Sequence, residues 1–322
     1  MKRHRWIFYA VLALSEPAAA QNVPNHPAGP TENVTVTGIR DVDKAVTDFV
    51  GTMTVPTRVA GKLARWRDRV CPITAGLRPE AAKFIDKHVK DVAAQVGAPV
   101  NDRDDCKPNI EIVFTTTPQA LLDTVTVKYP ELLGYHDNSA QATQLAAVTR
   151  PIQSWYATAT KDLHGQPQPD GVKTGGVRMT LQLPEGGYGG PAGGALPMFE
   201  MNMSDARATN VTGGRLGDGT SSEFSHVMIV AEPAKLLDHE IGPLADYIAL
   251  LALSQIPVSD HCQELPTILN LLASGCDAPP KALTSVDLAY LRALYKMTPT
   301  ANFRGQRSEM IYQMKHSLGA GQ

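Results

Sequence analysis

Five consecutive apolar residues, Val227 to Ala231 in the stretch "SEFSHVMIVAE", follow one another without a polar break. A strand wetted on one side alternates apolar and polar residues, whereas a short continuous run rich in β-branched residues is buried on both faces. This segment is expected at the centre of a sheet. The chain then becomes helical, with apolar spacing that predicts helices over 243–255, 263–273, 285–297 and 306–317. In the third of these, Thr284 and Asp287 make a capping box, and Val286, Tyr290, Leu291 and Leu294 share the inner face. Upstream, "NIEIVFTTT" reads as a strand. Pro79 to Val96 reads as a long amphipathic helix stopped by Gly97, with Ile85, Val89, Val92 and Val96 inward, and Pro118 opens a further helix. Pro72 restricts "RVCPITAGL" to an edge or a strand end. Asp41 or Asp43 can cap a helix presenting Val46, Phe49, Val50 and Met53. "PIQSWYATAT" and "GVRMTLQLP" read as strands and "HGQPQPDG" as a turn. The expected fold is α+β, a mixed sheet with helices, mostly helical towards the C-terminus.

The N-terminus carries Lys2, Arg3 and Arg5, then "WIFYAVLAL" and "AAA" at 18–20, the pattern of a secretory signal peptide over 1–20 cleaved near Ala20. A nine-residue apolar stretch is too short to cross a bilayer, and no later run suffices, so no span is expected in the mature chain. Residues 21–33 are too rich in Pro, Gly and Asn to order themselves, leaving one α+β domain over 34–322. Within it, six glycines between 186 and 194 place a flexible insertion at 185–196, which has neither the strand and helix nor the lysine of a phosphate-binding loop. Without the first twenty residues the charge balance is 27 positive against 31 negative, which gives no basic face for nucleic acid. Cys71, Cys106, Cys262 and Cys276 suit an oxidising compartment, the periplasm or the exterior. Three pairings are open. Local spacing favours Cys71 with Cys106 and Cys262 with Cys276, and no C-x-x-C spacing supports a zinc site.

The stretch "LLDHEIGPLADYIALLALSQ" holds His239 and Glu240 before an apolar helix. A zinc peptidase helix carries H-E-x-x-H, so that two imidazoles four apart face one ion and the Glu works on its water. Here Pro243 stands where the second His belongs. A proline suits the first turn of a helix far better than its interior, so the helix is expected to begin at Pro243 and to leave His239 and Glu240 in the approach loop. Asp238 and Glu240 there also suit the positive end of the helix dipole. A metal reading would use His239, His226 and His261 as ligands, with Glu240 as base and Asp246 completing the shell. Asp246 breaks an apolar face and needs a partner if buried. Ser221, Ser222 and Ser225 lie beside His226, but no G-x-S-x-G elbow surrounds them.

At "RWRDRVCPITAGL", "PNIEIVFTTTPQALL", "RPIQSWY" and "IGPLADYIALLALSQ" the sequence resembles an uncharacterised family of exported proteins from Gram-negative bacteria, from about Thr35 to Tyr295. The resemblance implies an extracytoplasmic protein in which the Trp66 to Cys71 block pairs with a cysteine near Cys106, and it implies no catalytic residue. The order of sheet, His-Glu and apolar helix, then "LTSVDLAYLRALY", is also similar to the tail of zincin-like domains, departing from them at Pro243 and in lacking a Met-turn. The function expected first is non-catalytic binding of an envelope protein or small ligand, contacted through the glycine-rich loop and the polar start of the 243 helix, with no cofactor. "VTVTGIR" is similar to short N-terminal segments of outer-membrane receptors, which suggests such a partner. The alternative is a metal-dependent hydrolase, the one reading that requires zinc.

Overall fold

The computed structural model describes residues 41–103, 105–162, 164–171, 177–179, 199–201, 218–257 and 260–319. The chain divides into two compact units, Met1–Pro30 and Thr31–Gln322, and every described residue belongs to the second. The signal segment, the 21–33 leader and the glycine-rich insertion at 185–196 lie outside the described residues.

The element order is α1 (Val42–Met53), β1 (Ala64–Arg65), β2 (Pro72–Ala75), α2 (Pro79–Val96), β3 (Ile110–Phe114), α3 (Pro118–Lys128), α4 (Ser139–Leu145), β4 (Ile152–Lys161), β5 (Pro167–Pro169), β6 (Val177–Met179), β7 (Phe199–Met201), β8 (Ser221–Ala231), α5 (Ile241–Leu253), α6 (Ser285–Lys296) and α7 (Phe303–Gly319). Short 3-10 turns occupy Pro130–Leu133, Pro233–Lys235 and Ile268–Leu272. The fold is α+β, built on a mixed six-stranded sheet.

The main sheet runs β2-β3-β8-β4-β5, with β1 joined to the first residues of β8. β1 and β3 pair with β8 in parallel, β4 pairs with it antiparallel, and β8 is central. Its side chains alternate between two apolar layers, as strand geometry requires. Val227, Ile229 and Ala231 face α1, α2, α5, α6 and α7. Met228 and Val230 face α3 and the 130–133 turn. This double cover is the physical reason why the 227–231 run contains no polar residue. Both outer strands carry prolines: β2 begins at Pro72, and β5 is Pro167, Gln168 and Pro169.

Helix ends follow local chemistry. Asp41 accepts from Lys44 N at 2.9 Å to cap α1, and Gly97 ends α2 at φ 85°. Buried Arg65 donates from Nη1 to the carbonyls of Leu294, Tyr295 and Met297 at 3.1, 2.6 and 3.0 Å, satisfying the otherwise unpaired C-terminal end of α6. Lys62, also buried, donates to the carbonyls of Thr220 and Thr300 at 2.6 and 3.0 Å and pairs with Asp218. Both bridges of the local pairing form, Cys71 with Cys106 and Cys262 with Cys276, with Cα separations of 6.1 and 5.6 Å.

Three expectations are corrected. Within 263–273 only Ile268–Leu272 is helical, as a 3-10 turn, because Asp287 Oδ2 takes the Ile268 N–H at 2.9 Å. Within "HGQPQPDG", residues 167–169 form β5, whose partner β4 overrides the turn chemistry of its prolines. Helix α5 begins at Ile241 with Glu240 at its cap, two residues before Pro243. At the third helical position the missing proline N–H is one that has no intrahelical acceptor in any case. The described part of "GVRMTLQLP" pairs with β7 alone, outside the main sheet.

Candidate functional site

The residues nominated from sequence are placed apart. His239 is partly buried in the turn before α5, and Glu240 is exposed. Asp246 is buried on α5, where its Oδ1 accepts from His88 Nε2 on α2 at 2.5 Å and its Oδ2 from Leu283 N at 3.2 Å. This carboxylate thus joins α2, α5 and the approach to α6. His261 is exposed, and it borders Tyr247 and Leu251 in the C-terminal half of α5, away from His239 at the opposite end. Thirteen helical residues rise about 20 Å, so His239 and His261 do not face one ion. Among the described residues no three His, Cys, Asp or Glu side chains gather as a metal set. Ser222 is bonded to Thr57 Oγ1 at 2.7 Å, and Ser225 donates to the Ala157 carbonyl at 3.1 Å.

His226 has a neighbour that the sequence did not announce. Its Nε2 lies 3.5 Å from Glu111 Oε1 of β3, both residues almost fully buried, and neither Glu111 oxygen nor this nitrogen has a hydrogen-bond partner among the described residues. Glu111 has the parity of Val113 and His226 that of Met228, so both point to the α3 side of the sheet. A buried pair without further hydrogen bonds recovers little of its lost hydration. The double variant Glu111→Leu, His226→Leu is therefore expected to equal the wild type or exceed it by about 1–4 kcal/mol, and each single variant to be less stable than the double. Urea unfolding of the three variants measures this; a double variant weaker than both singles would show that the pair stabilises the fold.

A groove of about 600 Å³ lies past the end of α5 opposite His239, bordered by Pro56, Arg58, Tyr135, Gln144, Trp155 and Gln255 among others. It forms where four segments meet, 55–58, 133–145, 154–158 and 255–257. The end of α5 is fixed by the Tyr156 hydroxyl, which lies 2.9 and 3.0 Å from the Leu251 and Ser254 carbonyls; burial raises its pKa far above the usual phenol range. Trp155 is anchored by Nε1 donating to the Leu145 carbonyl at 2.7 Å, which seats α4 along the rim. Gly134, at φ 86°, brings the 130–133 turn so close to β4 that a Cβ there would lie 2.5 Å from the Tyr156 carbonyl. Arg58 is held by Asp137 at 2.7 Å.

The lining combines aromatic faces with the amides of Gln141, Gln144 and Gln255. Gln255 Oε1 is buried and has no donor among the described residues. Beside the groove, and sharing Gly134 and Tyr135 with it, a small recess is lined by Glu131, His136 and Gly171. The sequence reading missed this region. Gln255 was legible only as the end of an apolar helix, and "YPELLGY" offered a Pro start and a Gly stop, the signal of a short turn, with nothing to mark Glu131 as buried.

No protein-family model matches the chain, and no curated protein or solved structure matches it significantly.

Proposed function

We propose that this is an exported, non-catalytic binding protein that holds a polar ligand of small-molecule size in the groove past the C-terminal end of α5. The observation carrying this reading is the groove itself: about 600 Å³, within the range of small-molecule sites, with aromatic walls and a buried amide acceptor that has no internal donor among the described residues. Export to the periplasm or exterior is supported by the basic and apolar N-terminal pattern, by two disulfides, and by the absence among the described residues of any helix long and apolar enough to cross a membrane. The reading takes the end of α5 as the contact surface in place of its polar start, while the glycine-rich loop, the other contact expected from sequence, lies outside the described residues.

Gln144 is exposed on α4 at the groove rim, so Gln144→Trp fills the groove without entering the core. In thermal-shift screening against a panel of di- and tripeptides, oligosaccharides and alkyl alcohols, at least one compound should raise the wild-type Tm and leave Gln144→Trp unmoved. No shift with any compound, or equal shifts in both proteins, would overturn the groove as the site.

A further inference from the structure

We infer that the ligand of the groove bears a primary ammonium group, which docks in the recess against Glu131. This rests on the groove being the binding site and names the chemistry that it selects. Glu131 sits in the 3-10 turn Pro130–Leu133, is 6% exposed, and neither of its carboxylate oxygens has a hydrogen-bond partner among the described residues. A buried carboxylate is stable when paired or hydrogen-bonded, so an occupant that donates to it is favoured.

The surrounding groups point to a cationic donor. Of the residues that line groove and recess, those with buried side-chain atoms lacking a partner among the described residues are Glu131, at Oε1 and Oε2, and Gln255, at Oε1, all acceptors. Arg58 is engaged with Asp137. His136, which lines the recess with Glu131, sets Nδ1 3.4 Å from the Gly134 carbonyl.

Size then narrows the class. The recess has room for about 10 Å³, close to one water-sized group. An ammonium head fits that space and brings three donors to the two oxygens; a trimethylammonium or guanidinium head is too large. Gly134 and Tyr135 line both recess and groove, so the two are adjacent, and the ligand is placed with its head in the recess and the rest along Trp155 and Gln144.

The test uses calorimetric titration of the full mature chain with n-pentylamine, n-pentyltrimethylammonium and n-pentanol, and with trialanine amide against its N-acetylated form. The amine and the free tripeptide should each bind at least tenfold more tightly than their blocked counterparts. Preference for one of the two amines identifies an alkyl amine or a peptide terminus as the source. Glu131→Gln should remove that tenfold preference, and Glu131→Leu should do the same. Neither variant should lower the Tm without ligand, because each removes a buried carboxylate that has no hydrogen-bond partner among the described residues. Equal affinity for free and blocked probes, or an unaltered preference in both variants, would overturn the ammonium site. If blocked probes still bind and Gln144→Trp abolishes this, the groove stands without it; if nothing binds, both readings fall.

Discussion

Asp287→Ala is expected to lower the free energy of unfolding by about 4–5 kcal/mol, because it strips a buried carboxylate from a set of donors that no water can replace. Asp287 is 1% exposed. It accepts from Thr267 Oγ1 at 2.5 Å, from Ile268 N at 2.9 Å, and from Thr284 N and Oγ1 at 2.9 and 3.0 Å. Truncation leaves those donors buried and also opens the capping box of α6. Asp287→Asn should cost less, since both backbone N–H groups converge on Oδ2, where the amide oxygen can stay, while the amide NH2 meets the Thr267 hydroxyl, which can accept. The residue also carries a pH signature. Burial, opposed by those hydrogen bonds, pushes its pKa up to about 6. A raised folded-state value stabilises the protein fully below the unfolded pKa near 4, and that contribution, about 3 kcal/mol, is lost as pH rises through 6. The difference between wild type and Asp287→Ala should therefore be larger at pH 4 than at pH 7. Urea midpoints at the two pH values check both statements, and a difference that grows with pH would contradict the sign.

Gly76→Ala should cost about 3–5 kcal/mol, combining a left-handed backbone with a forced collision. Gly76 follows β2 at φ 84°, and a Cβ there would lie 1.8 Å from the Phe114 carbonyl oxygen at the end of β3. Backbone cannot step aside as a flexible side chain can. Gly97 supplies the control: its φ is 85°, but nothing lies within 4 Å of the added carbon, so Gly97→Ala should lose only the conformational part, about 1 kcal/mol. Thermal melts of the two variants separate the terms. Equal losses would mean that the β2 to α2 turn relaxes away from β3.

The elements readable from sequence are those whose signals are local. Ile85, Val89, Val92 and Val96 lie on one face whatever else the chain does, and Pro79 and Gly97 bound that helix by their own backbone chemistry. The same is true of Thr284 with Asp287, and of the 227–231 run. What was hidden depends on partners far along the chain. The 263–273 segment was helical by spacing, yet Asp287 draws Thr267 and Ile268 into a different arrangement. Glu111 occupies a strand position indistinguishable from a solvated one until β8 brings His226 beside it. Asp246 was recognised as needing a partner, but His88, 158 residues away, could not be named. The groove is the extreme case, because it is assembled from the ends of elements, where periodicity carries no information.

The prolines at the rims of the sheet bear on how this protein meets others. β5 is bounded by Pro167 and Pro169 and β2 opens with Pro72, and none of the three has an N–H to offer an incoming strand. An added β-strand, whether from a partner or from a second copy, would find too few main-chain donors to continue the ladder. Recognition at these two rims consequently falls to side chains, and the main sheet is guarded there against the edge-to-edge stacking by which exposed sheets grow into fibres.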